Sequence, residues 1–331
     1  MDLTTNYLGL TLKSPLVASA SPLNAHLDNL KALQDYGAGA VVLPSIFEEQ
    51  IVQEQEVLDA LIDSNSESSG EALSYFPTLS SYAFDTTRQI TLIEQAVASL
   101  DIPVIASLNG IHTSGWVNFA RDIEAAGAHA IELNIFFVPS DPTISGQEVE
   151  QRYIDIVKAV TSVVSIPVSV KIGPYFSSLG SMASELVKAG AKGLVMFNRF
   201  YQPDINTQKL SIEPSLELST SFEMRLPLLW IGILAGRTNA SLAATTGVET
   251  HEDVVKYLLA GADVVMTTSS LLRHGLEHMK VLSDGLVDWL DARDLTSLDI
   301  MRGKLSHICI ANPESYERAN YIKVLQNHGR A

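Results

Sequence analysis

Cysteine is nearly absent. Cys309 is the only one in 331 residues, so no intramolecular disulfide forms and a cysteine-rich metal site is excluded. Positive charge is scarce too: 22 Lys and Arg stand against 38 Asp and Glu, a formal net charge of −16. Such a chain repels nucleic-acid phosphates and anionic lipid surfaces, so neither is an expected partner. No stretch of about 20 apolar residues occurs, so no segment is expected to span a bilayer. The N-terminus, Met1-Asp2-Leu3-Thr4-Thr5, lacks the basic region and apolar run of a signal peptide, and the cytoplasm is the expected compartment. Gly-x-Gly-x-x-Gly, the P-loop and His-Glu-x-x-His are all missing, and no tight Asp/Glu/His cluster marks a metal site. Cys309 itself sits in the apolar stretch His307-Ile308-Cys309-Ile310 and reads as an inert packed thiol.

What the chain does have is apolar material: 46% hydrophobic and 18% charged residues, enough for a large core and unlike a disordered chain. One pattern recurs. A helical stretch ends in Ala-Gly-Ala or a relative and an apolar run follows at once, at Gly37–Val42, Ala126–Ile131, Ala189–Leu194 and Ala260–Val265. The glycine suits the left-handed residue that closes a helix. Ile-Pro-Val, at residues 102–104 and 166–168, marks strand starts, where proline forfeits no ladder bond.

Eight strands follow from these signals: Leu16–Ser19, Ala40–Leu43, Val104–Leu108, Ala130–Asn134, Val168–Ile172, Gly193–Phe197, Ser241–Thr245 and Val264–Thr267. Helical stretches lie between most of them, among them Asp28–Tyr36, Trp116–Ala126, Glu148–Val163, Met182–Ala189 and Glu252–Leu259. Alternating units of this kind build a parallel sheet, and eight of them favour an α/β (β/α)8 TIM barrel over an open doubly wound sheet. No linker marks a second domain. Residues 1–331 read as one barrel domain, with 48–74 as an insertion or lid and 281–331 as a C-terminal helical segment.

Side chains along a barrel strand alternate between lumen and helix layer, and function gathers at the strands' C-terminal ends. Val168, Val170 and Ile172 are apolar, which turns Ser169 and Lys171 inward. A lysine in a lumen must be paired or used, because an isolated buried ammonium is costly. Glu132, inward-facing beside Ala130 and Asn134, is the candidate partner for a structural ion pair; a ligand contact is the other reading. Asn109, Asn134 and Asn198 stand at or just after strand ends. Singly each reads as a strand-end cap; together they suit a planar heterocycle read by paired donors and acceptors. The turns after the last two strands, Thr245-Thr246-Gly247-Val248 and Thr267-Thr268-Ser269-Ser270, are rich in hydroxyls and sit where barrels bind phosphate. His112, in a loop near the top, reads as an ordinary loop residue or as an acid or base.

These residues bring a family into view. The chain resembles the dihydroorotate dehydrogenase family, FMN-dependent barrels of pyrimidine biosynthesis, from Leu3 to about Gly275. Pro15-Leu16-Val17-Ala18-Ser19-Ala20 looks like the opening strand and its Ala-Ser-Gly flavin loop. Glu132-Leu133-Asn134 looks like the strand before the catalytic loop. Val170-Lys171-Ile172-Gly173-Pro174 is similar to the flavin-lysine motif. Thr246-Gly247-Val248, with Asp253 beyond, resembles the first phosphate loop, and Thr268-Ser269 the second. The resemblance implies an FMN phosphate near Gly247, Thr268 and Ser269. It puts the backbone of Ala18, Ser19 and Ala20 against the isoalloxazine, and Ser45, Asn109 and Phe197 in the cofactor site. Lys171 would lie beside flavin N1 and the C2 carbonyl, stabilising the charge that grows as hydride reaches N5. Asn134 and Asn198 would hold a small planar substrate. A homodimer is expected from the resemblance alone.

The departures matter equally. The family's catalytic loop carries a Cys or Ser base, whereas this chain reads Asn134-Ile135-Phe136-Phe137-Val138-Pro139, with Phe137 at the base's position. Pro44 stands for a flavin-site lysine, while Ser45 beside it persists. Ala72, before Phe76-Pro77, falls where an asparagine is usual, and Ser219-Thr220-Ser221 replaces a Gly-Gly loop. The resemblance thus implies an FMN-dependent oxidoreductase acting on dihydroorotate weakly, or on a related or less polar substrate. With no extension before the barrel, a soluble electron acceptor is expected. Two other readings stay open: a lyase or aldolase with a Lys171 Schiff base, and a flavin-binding module without catalysis.

Overall fold

The computed structural model describes residues 1–47, 86–110, 116–199, 203–214 and 217–317. The chain opens with a hairpin, β1 (Thr5–Tyr7) and β2 (Leu10–Leu12), then β3 (Leu16–Ala18), α1 (Leu27–Asp35), β4 (Ala40–Phe47), α2 (Thr86–Ser99) and β5 (Val104–Asn109). It continues through α3 (Trp116–Ala125), β6 (Ala130–Asn134), α4 (Gly146–Thr161), β7 (Val168–Ile172), α5 (Leu179–Lys188) and β8 (Gly193–Met196). A second hairpin, β9 (Pro203–Asn206) and β10 (Ser211–Pro214), precedes α6 (Arg225–Leu234), β11 (Ser241–Ala244), α7 (His251–Ala260), β12 (Val264–Thr267), α8 (Ser269–His274) and α9 (His278–Asp291). The strands close into a parallel barrel in the order β11-β12-β3-β4-β5-β6-β7-β8. This is the (β/α)8 TIM barrel expected from the eight strand signals.

Alternation along each strand divides the core in two. Outward residues such as Val168, Val170 and Ile172 join the large cluster beneath the helices. Inward residues, among them Val17, Val42, Ile105, Val195, Ala243 and Met266, form a smaller cluster in the lumen. That cluster also contains Tyr7, Leu8 and Leu12, so the first hairpin plugs the barrel's N-terminal end. Its two-residue turn, Leu8-Gly9, has positive φ at both positions (58° and 80°), the backbone of a tight hairpin whose twist matches its strands. The Leu8 N–H donates to Ser241 Oγ at 3.0 Å and the Thr5 hydroxyl to the Asp263 carbonyl at 2.8 Å, which fastens the plug to the starts of β11 and β12.

Helix ends follow their capping chemistry. Four glycines of the recurring pattern, Gly37, Gly127, Gly190 and Gly261, have φ between +89° and +117°, the left-handed backbone expected there. At α4 the Ser145 hydroxyl accepts from the Glu148 N–H while the Glu148 carboxylate accepts from the Ser145 N–H. That capping box starts the helix two residues before the predicted Glu148.

Three expectations are corrected. β4 runs past Leu43 to Phe47, because a register shift between Val42 and Ser45 lets Pro44 sit in a bulge without breaking the ladder. Beyond Asp291 the described C-terminal segment holds only short 3-10 turns, Leu298–Ile300 and Pro313–Tyr316, rather than continued helix. Cys309 is exposed rather than packed, since these turns lie on the surface and bury His307 instead. The 48–74 segment, His112, Ala72 and Phe76-Pro77 lie outside the described residues.

The recurring pattern also carries a tight joint. A Cβ on Gly39 would stand 2.0 Å from the Ser14 carbonyl oxygen, where two backbones meet. Gly39→Ala is therefore expected to destabilise the fold by about 1–3 kcal/mol or more, the scale of core overpacking, read as a lowered midpoint in urea unfolding.

Candidate active site

All eight barrel strands deliver a residue to one cavity of about 1120 Å³ at their C-terminal ends. Ser19, Ser45, Asn109, Asn134, Lys171, Phe197, Thr245 and Thr267 follow one another around its wall. Lys171 forms the floor. Its Nζ lies 3.5 Å from Glu132 Oε1 and 3.4 Å from Ser19 Oγ. Register explains the meeting: Asn134 pairs Lys171 and Glu132 pairs Ser169 across β6 and β7, so Glu132 lies one layer below the lysine. The ion-pair partner named from the sequence is thus present, while the ammonium still faces the cavity.

The wall is polar and built in pairs. Asn198 Nδ2 donates to Asn134 Oδ1 at 2.5 Å, joining two of the three strand-end carboxamides. The β4 bulge turns Ser45 inward, where its hydroxyl meets that of Ser107 at 2.7 Å. Asn24, fully buried in the turn after β3, donates to the Ser19 carbonyl at 3.0 Å and the Val42 carbonyl at 2.7 Å, pinning the loop that carries Ser19 and Ala20.

The opposite edge is a cradle of hydroxyls and amides. The Gly247 N–H donates to Ser219 Oγ at 3.2 Å, and Ser219 Oγ lies 2.9 Å from Ser269 Oγ. Thr246 and Gly247 both have positive φ, 83° and 73°, a turn that aims successive N–H groups at one place. The Tyr257 hydroxyl, from α7, fixes this turn by donating to the Thr246 carbonyl at 2.7 Å. A Cβ on Gly247 would stand 2.6 Å from the Thr220 carbonyl oxygen, so only glycine fits. Behind the cradle, the Asp253 carboxylate accepts from the Ser221 hydroxyl and from the Glu249 and Thr250 N–H groups. Burial alone would raise its pKa, but the hydrogen bonds from Ser221, Lys256, Thr250 and Glu249 outweigh that and hold it below the usual carboxylate value.

Of the residues named from the sequence, Ser19, Ala20, Ser45, Asn109, Asn134, Lys171, Phe197, Asn198, Gly247, Thr268 and Ser269 all line the cavity. Ala18 does not. It is fully buried among the outward residues of the barrel, because the strand alternation that turns Ser19 in turns Ala18 out. The aromatic pair also divides. Phe136 lines the cavity, while the Phe137 ring lies beneath the Arg152 guanidinium of α4, 4.2 Å from its centroid. Residues not foreseen as wall include Ser219, Arg199, Arg88, His26 and Asp28. Ser219 had been noted only as a departure, and its hydroxyl-rich neighbourhood was the available signal. Arg199 bonds Glu223 at 2.9 Å, a partner 24 residues away that no local pattern reveals. Among the described residues, the cavity's only imidazole and carboxylate are His26 and Asp28, at the start of α1.

Comparison with known proteins shows the family. Residues 83–290 match the family model for dihydroorotate dehydrogenase. The chain belongs to the dihydroorotate dehydrogenase family. A protein of Aeropyrum pernix named dihydroorotate dehydrogenase A (fumarate) is 32% identical over 224 residues, covering 64% of this chain and 70% of that protein. The catalytic subunit of dihydroorotate dehydrogenase B (NAD(+)) from Thermoplasma acidophilum is 25% identical over 309 residues, covering 91% and 98%. Its counterpart from Methanocaldococcus jannaschii is 24% identical over 304 residues, covering 90% and 97%. The chain is an oxidoreductase of the dihydroorotate dehydrogenase family, and among its described residues no helix is long and apolar enough to cross a membrane.

Two outcomes follow. Because Asp253 is held below its ordinary value of 3.8, its stabilising bonds are present above that pH and are lost as pH falls through the folded value. Asp253→Asn should thus cost roughly 1–3 kcal/mol near pH 6, with the gap to wild type closing below about pH 4 in pH-resolved urea unfolding. Gly247→Ala should displace Ser219 and weaken any phosphate-bearing ligand by on the order of tenfold or more, the scale of one lost charge-assisted bond, measured by calorimetric titration.

Proposed function

We propose that the chain binds FMN in this cavity and oxidises a small cyclic CH–CH donor, dihydroorotate or a related dihydropyrimidine. The observation that carries this reading is the Lys171 ammonium on the cavity floor, facing a hydroxyl-and-amide cradle at the cavity's other edge. The residues present fit the cofactor. The cradle offers Gly247, Ser219, Thr268 and Ser269 to a phosphate, at a place where a side chain on residue 247 would collide. Ser19 and Ala20, with Ser45, Asn109 and Phe197, offer the wall for a flat ring system. The bound flavin would supply the hydride acceptor.

The protein's own residues do the rest. Lys171 holds a fixed positive charge where negative charge grows during hydride transfer, which lowers the barrier without reorganisation at the moment of reaction. Asn134 and Asn198, already bonded to each other, present amide groups that orient a planar substrate with matching edges. Oxidation of dihydroorotate also removes a proton from C5. In the segment corresponding to the family's base loop, Phe136 lines the cavity and Phe137 lies under Arg152. A phenyl ring accepts no proton, and loss of a general base costs on the order of 10²–10⁴ in rate. The aromatic wall and the lack of a proton acceptor at Phe136 and Phe137 together support slow dihydroorotate oxidation or preference for a less polar relative.

The purified chain should be yellow. Under anaerobic conditions its flavin bands should bleach with a dihydropyrimidine, and with dihydroorotate at a rate at least about 10²-fold below that of a base-bearing relative. Lys171→Met should slow bleaching by about 10²–10³. A colourless protein that takes up no added FMN would rule the reading out.

A further inference from the structure

Lys171 is reached from the cavity; Glu132 is not. The glutamate is 1% exposed, and apart from Lys171 Nζ at 3.5 Å neither carboxylate oxygen has a hydrogen-bond partner among the described residues. Below it lies Tyr7, on the hairpin that plugs the barrel. Its hydroxyl is also buried, with the Ser169 side chain beside it and no hydrogen bond of good geometry among the described residues. Burial and the Glu132 charge together push the Tyr7 phenol up, so it remains neutral. Among the described residues the neighbouring lumen positions carry no further titratable group: Val17, Val42, Ile105, Val195, Ala243 and Met266 are apolar, and Ser107 and Ser169 carry neutral hydroxyls. The interior of the barrel therefore holds a single column of titratable groups: a neutral phenol, a sealed carboxylate and an ammonium open to the cavity.

A buried pair with so few supporting hydrogen bonds contributes little to stability, because desolvation offsets the attraction. Its effect on the cavity is larger. In a low-dielectric lumen the field that a cation presents at the floor is reduced by any carboxylate directly behind it. Lysine alone would present a full positive charge; lysine backed by Glu132 presents less, and its ammonium is tethered 3.5 Å from the carboxylate rather than free to swing toward the rim.

We propose that Glu132 is a positioning residue that anchors Lys171 to the cavity floor and sets how strongly the site favours the reduced, more negative form of a bound flavin. The inference rests on the FMN reading above. It makes the Lys171–Glu132 pair, and not the lysine by itself, the element that tunes the site's redox bias. Glu132 touches neither cofactor nor substrate in this account and acts through Lys171 alone.

The test is the midpoint potential of the bound flavin, measured by spectroelectrochemical titration of the purified holoprotein. Glu132→Gln keeps the side chain's size and removes its charge. It should shift the potential to a more positive value, with reduced over oxidised FMN bound more tightly by on the order of tenfold, what one unit charge is worth at such depth. Lys171→Met should shift it the other way. Glu132→Asp keeps a carboxylate but withdraws it from the ammonium, and should give a smaller positive shift; it also serves if the glutamine variant does not fold. A potential that is unchanged or more negative in Glu132→Gln or Glu132→Asp overturns the proposal and leaves Glu132 a structural counter-ion. A colourless chain removes the FMN reading and this inference together, whereas a yellow chain with an unmoved potential removes the inference alone.

Discussion

A charged side chain inside a β-barrel is the constraint around which this molecule is arranged. An ammonium in the lumen is tolerable only if something negative stands close and something else keeps the interior packed. Glu132 supplies the first, one layer down on the neighbouring strand. The β1–β2 hairpin supplies the second, filling the barrel's lower half with Tyr7, Leu8 and Leu12. Gly193 shows how closely the plug fits: a Cβ there would come within 2.5 Å of the Leu8 side chain. With the lower half closed and apolar, the charge is displayed upward, at the face where the loops of a barrel do their chemistry.

The barrel was largely legible before any coordinates, because its signals are local. Each helix-closing glycine is followed at once by an apolar strand, and strand alternation assigns Lys171, Glu132 and Asn134 to the lumen without reference to the rest of the chain. The misses have non-local causes. Pro44 reads as a strand end, yet a bulge carries the strand past it and delivers Ser45. Ala18 sits next to two cavity residues, but the two-residue period turns it the other way. Phe136 and Phe137 are indistinguishable in a local pattern, and only the packing of Phe137 beneath Arg152 reveals that Phe136 forms the wall. The first hairpin was missed because its three-residue strands lie below the length at which alternation can be read.

Two parts of the site differ in the chemistry they offer. The cradle is a glycine turn lined with hydroxyls, with Ser219 bonded to both Gly247 and Ser269, which suits the dianion of the FMN reading proposed above. The segment after β6 is apolar instead, with Phe136 in the cavity wall and Phe137 under Arg152. Electrostatic positioning and proton transfer are separable contributions to a barrier, so under the proposed function the two parts of the site would be tested separately, the first through Lys171 and the second through the choice of donor.

The hairpin plug carries one more consequence. Because Tyr7, Leu8 and Leu12 close the lumen from beneath, the described residues leave Lys171 open only toward the C-terminal ends of the strands. Under the FMN reading proposed above, traffic through such a well would be last in, first out: a molecule at Asn134 and Asn198 would come and go over an occupied floor, while the group beneath it would depart only once the upper berth was vacant.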